Sequence, residues 1–71
     1  MLIQAHWQNC ENVRQTDFIA QNEFPDSEDG AMAAMEWAAD VFERRRSEMP
    51  DGWCPMVCTR GSEYFVLAAP K

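Results

Sequence analysis

Four side chains in this chain are of types that metals and nucleophilic chemistry use: His6, Cys10, Cys54 and Cys58. Zinc accepts all four, but the spacing opposes it. Residues four apart on a regular strand lie about 13 Å from each other, whereas both sulfurs of a zinc site sit about 2.3 Å from the metal. Only a bulge at Pro55 would bring Cys54 and Cys58 together, and otherwise they read as small buried thiols. A Cys–His nucleophile pair needs a group to orient it and an oxyanion hole, and the sequence supplies neither. The segment Asp26-Ser27-Glu28-Asp29-Gly30 resembles the start of a calcium loop but lacks the alternating ligands and the distal glutamate. It is better explained as a helix start. No metal, no cofactor and no catalytic residue is therefore expected, and the chain reads as a binding protein rather than an enzyme.

The element that organises the chain is an amphipathic helix expected from Asp26 to Met49. Pro25 precedes it, Asp26 or Ser27 can serve as N-cap, and Glu28 and Asp29 place negative charge where the helix dipole is positive. Arg44, Arg45 and Arg46 fall in the last turns, and Pro50-Asp51-Gly52 stops the helix. At about 100° per residue, Ala31, Ala34, Met35, Ala38, Ala39, Val41 and Phe42, with Met32 at the margin, form an apolar arc that another element must cover. Asp29, Glu36, Asp40 and Glu43 form an acidic stripe beside it. Trp37 projects opposite the arc, beside Ala33 and Arg44, as an exposed tryptophan next to carboxylates. Such a residue is a candidate interface anchor, although it could equally fold over its own helix. The stripe has two readings of its own, a partner-binding surface or the solvated side of a surface helix.

Strands flank the helix. Leu2 to Gln8 alternates with Ile3, Ala5 and Trp7 inward. The polar run from Asn9 to Gln15 is a turn or loop, and a second strand runs from about Thr16 to Phe24, with Phe18, Ala20 and Phe24 on one face and Ile19 spoiling the alternation. Trp53 to Thr59 and Glu63 to Ala69 form a hairpin around Arg60-Gly61-Ser62. Parity puts Cys54, Met56, Cys58, Phe65 and Leu67 on one side, taken as inward for its larger apolar mass. Val57, Tyr64 and Val66 then make a second apolar face that meets solvent or another copy of the chain, so a homodimer through these three residues is possible. The expected fold class is α+β, in the order ββαββ: a small antiparallel sheet with one long helix packed on one face.

At 71 residues the chain is a single small domain with a thin core. Its net charge is −6, and its distribution matters more than the total. From Asp17 through Glu43 there is no basic residue, while Asp17, Glu23, Asp26, Glu28, Asp29, Glu36, Asp40 and Glu43 all lie there. That region would repel phosphates, so direct nucleic-acid binding is disfavoured and a basic protein partner is favoured. Three cysteines leave one unpaired, no signal peptide opens the sequence, and no apolar run reaches about 18 residues, a pattern that fits a reduced cytoplasmic protein without a membrane segment.

In length, acidity and layout, the strand pair before EFPDSEDGAMAAMEWAADVFERR and the hairpin CPMVCTRGSEYFVLAA after it resemble small phage-encoded proteins that inhibit host defence, such as anti-CRISPR proteins. The resemblance covers the whole chain and carries over no individual residue. It implies a non-enzymatic inhibitor, acting in the host cytoplasm, whose acidic surface competes with nucleic acid for a basic channel of a host complex.

Overall fold

The structure, a computed structural model, describes residues 1–60 and shows a small α+β fold. Two strands, β1 (Leu2–Asn9) and β2 (Thr16–Glu23), precede the helix α1 (Glu28–Arg44), a 3₁₀ turn (Arg46–Glu48) and the strand β3 (Trp53–Arg60). The antiparallel sheet has the order β2-β1-β3. Because β1 is antiparallel to both neighbours, β2 and β3 run parallel with β1 between them. The chain from β2 to β3 therefore has to cross over β1, and α1 is that crossover, a split βαβ arrangement. The strand expected at 63–69, with Tyr64 and Val66, lies outside the described residues.

The β1–β2 connection is a loop built on asparagines, as its composition suggests. Asn9 Oδ1 accepts the Glu11 N–H at 3.0 Å, Asn12 Oδ1 accepts the Arg14 N–H at 3.2 Å, and Asn9 and Gln15 join through both backbone and side chain. The pairing then runs regularly except at one point: Ala5 faces Ala20 but His6 faces Phe18, so Ile19 is the extra residue of a β-bulge. The bulge corrects the expected faces of β2. Ile19 is buried in the core beside Ala5 and Trp7, whereas Phe18 turns to the other side of the sheet, 56% exposed. What spoiled the alternation was the bulge itself.

At the start of α1, Ser27 is the N-cap, in extended conformation, and its Oγ accepts the Gly30 N–H at 3.1 Å. Gly30 is buried there because the chain doubles back over it. A Cβ at this position would lie 1.8 Å from the Pro25 carbonyl oxygen. Ala34, Ala38 and Phe42, four apart, form the ridge that meets the sheet. Small residues at two of these three positions allow close approach to Ile3 and Ala5, and Phe42 closes the end of the core on Trp7 with ring centroids 5.4 Å apart. At the far end Arg45 Nη1 donates to the Ile19 carbonyl at 2.9 Å, while its Nε and Nη2 engage the Glu48 carboxylate. Since the extra residue of a bulge is left out of the ladder, this arginine supplies a donor that the strands do not.

Two face assignments made from periodicity need correction. The buried side of α1 is rotated by about 50° from the expected apolar arc, half the angle between consecutive residues. Trp37 is thereby drawn in: it is half-buried, packs against both core clusters and tilts onto Phe24 with ring centroids 5.7 Å apart. Met35 and Ala39, expected inside, are exposed. The reason is volume, because an indole recovers far more from burial than a flexible methionine or an alanine methyl. The faces of β3 are likewise exchanged. Val57 faces Ala5 and packs in the core, while Cys54, Met56 and Cys58 stand opposite Gln8, His6 and Gln4 on the sheet face away from the helix. Apolar mass alone ranked the two faces in the wrong order.

Gly30→Ala should destabilise the domain by at least about 1 kcal/mol despite alanine's better helix propensity, because the added methyl must displace backbone. A variant that melts higher than the parent would show that the first turn does not sit under Pro25. Trp37→Ala should lower stability by about 2 kcal/mol, the low end for truncating a large aromatic because the ring is only partly buried. Unchanged melting would return Trp37 to the surface.

Candidate partner-binding surface

With the ridge of α1 committed to the sheet, the opposite face is left to solvent, and its charge is acidic apart from Arg44. Asp29, Glu36, Asp40 and Glu43 are all exposed, at spacings of three, four and seven that align them along one side of the helix. Asp40 is paired with Arg44, four residues on, and the carboxylate raises the Arg44 pKa above its ordinary value. Among the described residues no cation pairs with Asp29, Glu36 or Glu43. Alongside this stripe stand two large apolar side chains, Met32 at 63% and Met35 at 42% exposure. Met32 lies four residues from both Glu28 and Glu36 and so belongs to the same surface as the carboxylates, whereas Met35, seven residues before Phe42, stands at the margin between that surface and the sheet.

Of the five residues expected to contact a partner, the structure brings four together on this surface. Trp37 is not among them, since its ring belongs to the core margin. Periodicity missed the methionines because it counted them as core. The signal that could have separated them is side-chain type: methionine tolerates exposure and adapts to varied contacts, whereas tryptophan is seldom left fully solvated. Of the expected dimer face only Val57 is among the described residues. Val57 is turned to the helix, and Tyr64 and Val66 lie outside the described residues.

The sheet face away from the helix carries the residues that first suggested chemistry. His6 sits between Phe18 and Met56, with the Phe18 ring edge-on at 5.5 Å. Both of its ring nitrogens are shielded from solvent, and among the described residues neither has a hydrogen-bond partner. Burial lowers its pKa, and the nearby Arg60 guanidinium lowers it further. Cys54 and Cys58 lie along β3 opposite Gln8 and Gln4, at ordinary strand spacing. Among the described residues no three His, Cys, Asp or Glu side chains converge, and no helix is long and apolar enough to cross a membrane.

His6 ties stability to pH. Its folded pKa lies below the unfolded value of about 6.5, so its contribution is complete above that pH and is lost as the pH falls through the folded pKa. Melting temperature should therefore decline on acidification below about pH 6.5, and His6→Leu should flatten that decline. An equal acid loss in the variant would assign the effect to other groups.

No protein-family model matches this chain, and neither does any curated protein or solved structure.

Proposed function

We propose that this chain is a non-enzymatic, cytoplasmic binding protein whose outer helix face occupies a basic surface of a partner protein, of the kind that otherwise holds nucleic-acid phosphates. The observation that carries this reading is the surface of α1: Asp29, Glu36, Asp40 and Glu43 exposed in line, with Met32 and Met35 exposed beside them. A stripe of carboxylates alone is what any solvated helix shows. Met32 within it and Met35 at its margin leave apolar surface in water, at a solvation cost that a free surface does not recover but an interface does. Carboxylates spaced along a rod present charge much as a phosphate backbone does, and they attract a basic groove over about 8 Å at physiological salt. The methionines then supply the apolar contact that slows dissociation, the part first assigned to Trp37. The likeness in length, acidity and layout to phage-encoded inhibitors of host defence agrees with this reading and suggests a nucleic-acid-handling complex as the partner.

Charge and apolar contact should fail differently. Glu36→Lys with Asp40→Lys should lower the association rate by at least about tenfold and weaken its salt dependence, whereas Met32→Ser with Met35→Ser should mainly speed dissociation. The test is affinity capture from a lysate with the parent and both double variants in parallel, with added RNA or heparin as competitor, followed by rate measurements on the captured protein. A partner held by the parent, displaced by polyanion and lost with the lysine variant supports the proposal. Equal capture by all three proteins, or indifference to polyanion, overturns it.

A further inference from the structure

The two ends of β1 and β3 that meet at the loop side of the sheet bring two of the three cysteines together. The ladder pairs Gln8 with Cys54 and Asn9 with Trp53, and the Cys10 N–H continues it by donating to the Gly52 carbonyl at 3.3 Å. Cys10 is two residues beyond Gln8, so it lies on the same sheet face as Cys54 and diagonal to it. Its direct opposite, Gly52, has no side chain to stand between them and adopts φ +82°, a conformation that favours glycine. The register alone places the two thiols at neighbouring positions of one sheet face, and the nearness of Cys54 raises the Cys10 pKa. Cys10 is exposed and Cys54 half-buried, whereas Cys58 sits four residues further along β3, opposite Gln4.

From this geometry we infer that Cys10 and Cys54 are a modification site, a dithiol that closes to an intramolecular disulfide and staples the end of β1 to the start of β3. The oxidant is a small disulfide, RSSR. The exposed Cys10 thiolate attacks one of its sulfurs and releases RS⁻. The Cys54 thiolate then attacks the Cys10 sulfur of the mixed disulfide, and the second RS⁻ leaves. The protein gives up two electrons and two protons, and RSSR becomes two RSH. Diagonal positions on a sheet are spaced near the upper limit of what a disulfide spans, so closure needs a small backbone shift. Cys10 lies just past the last residue of β1 and Gly52 just before the first of β3, so a shift there loads only the last bond of the ladder, from the Cys10 N–H to the Gly52 carbonyl. The neighbouring Cys54 thiol, burial and Glu11 raise the Cys10 pKa, so the attacking thiolate is scarce near neutral pH and closure speeds up as the pH rises.

The test is to treat the folded protein with glutathione disulfide, measure intact mass and map the linked peptides without reduction. The expected product is a monomer lighter by two hydrogens, with Cys10 joined to Cys54 and Cys58 free, and with a melting temperature several degrees above the reduced form. Cys58→Ser should give the same product, and Cys10→Ser should give only mixed disulfide. Linkage of either thiol to Cys58, disulfide-linked dimers as the main product, or pairing that forms only in denaturant would overturn the assignment. The wild-type mapping decides the matter even if a serine variant folds poorly.

Discussion

The fold depends on how closely α1 can lie on β1. The small residues of its ridge, Ala34 and Ala38, have almost no side-chain volume, so the helix packs closely on Ile3 and Ala5. A core built this way is thin, and bulk has to be supplied at its margins. Aromatic contacts do so on both sides, Trp7 against Phe42 and Phe24 against Trp37. The bulge at Ile19 belongs to the same constraint. It turns one additional aliphatic residue toward the helix, and Arg45 then bridges from the end of α1 to the carbonyl that the bulge leaves over. A larger residue anywhere on the ridge would lift the helix and loosen all of these contacts together.

A helix that packs through so narrow a ridge leaves most of its circumference in water. That is why one short element can both close the core and offer a broad outer surface. Lining this surface with carboxylates adds repulsion between Glu36 and Asp40, which the ion pair from Asp40 to Arg44 offsets only in part. Folding gains nothing from that arrangement or from the solvated methionines beside it. Features that burden a thin-cored domain without contributing to its packing are those for which binding provides a physical reason.

Much of this architecture was legible from residue order. The alternation of Ile3, Ala5 and Trp7 marked β1 and its inner face, the asparagines marked the loop, and Ser27 was one of two residues proposed as the helix cap. What periodicity could not convey was volume and local irregularity. An ideal projection treats Ala39 and Trp37 as points at fixed angles, yet the indole's size turns the helix toward itself. A bulge shifts parity by one, so Phe18 and Ile19 exchanged sides without any change in composition. On β3, Trp53 and Val57 mark the inner face against two cysteines and a methionine, and the pairing with β1 decides between them. The acidic stripe survived the rotation of the helix because it is broad. The tryptophan did not, because its assignment rested on one angle.

The position of β1 has a consequence for how the chain is made. Of the three described strands it is the first to be synthesised and the central one, with β2 on one side and β3 on the other. Its first edge can pair as soon as the asparagine loop closes, but its second must wait until the helix and all of Trp53–Arg60 have left the ribosome. At about 5–20 residues per second that interval is on the order of seconds. Throughout it, a strand carrying Ile3, Ala5 and Trp7 presents an open edge that would accept the same strand from another nascent chain. Crowded polysomes are therefore where this domain is most exposed to misassembly, and slow translation through the helix would lengthen the risk rather than relieve it.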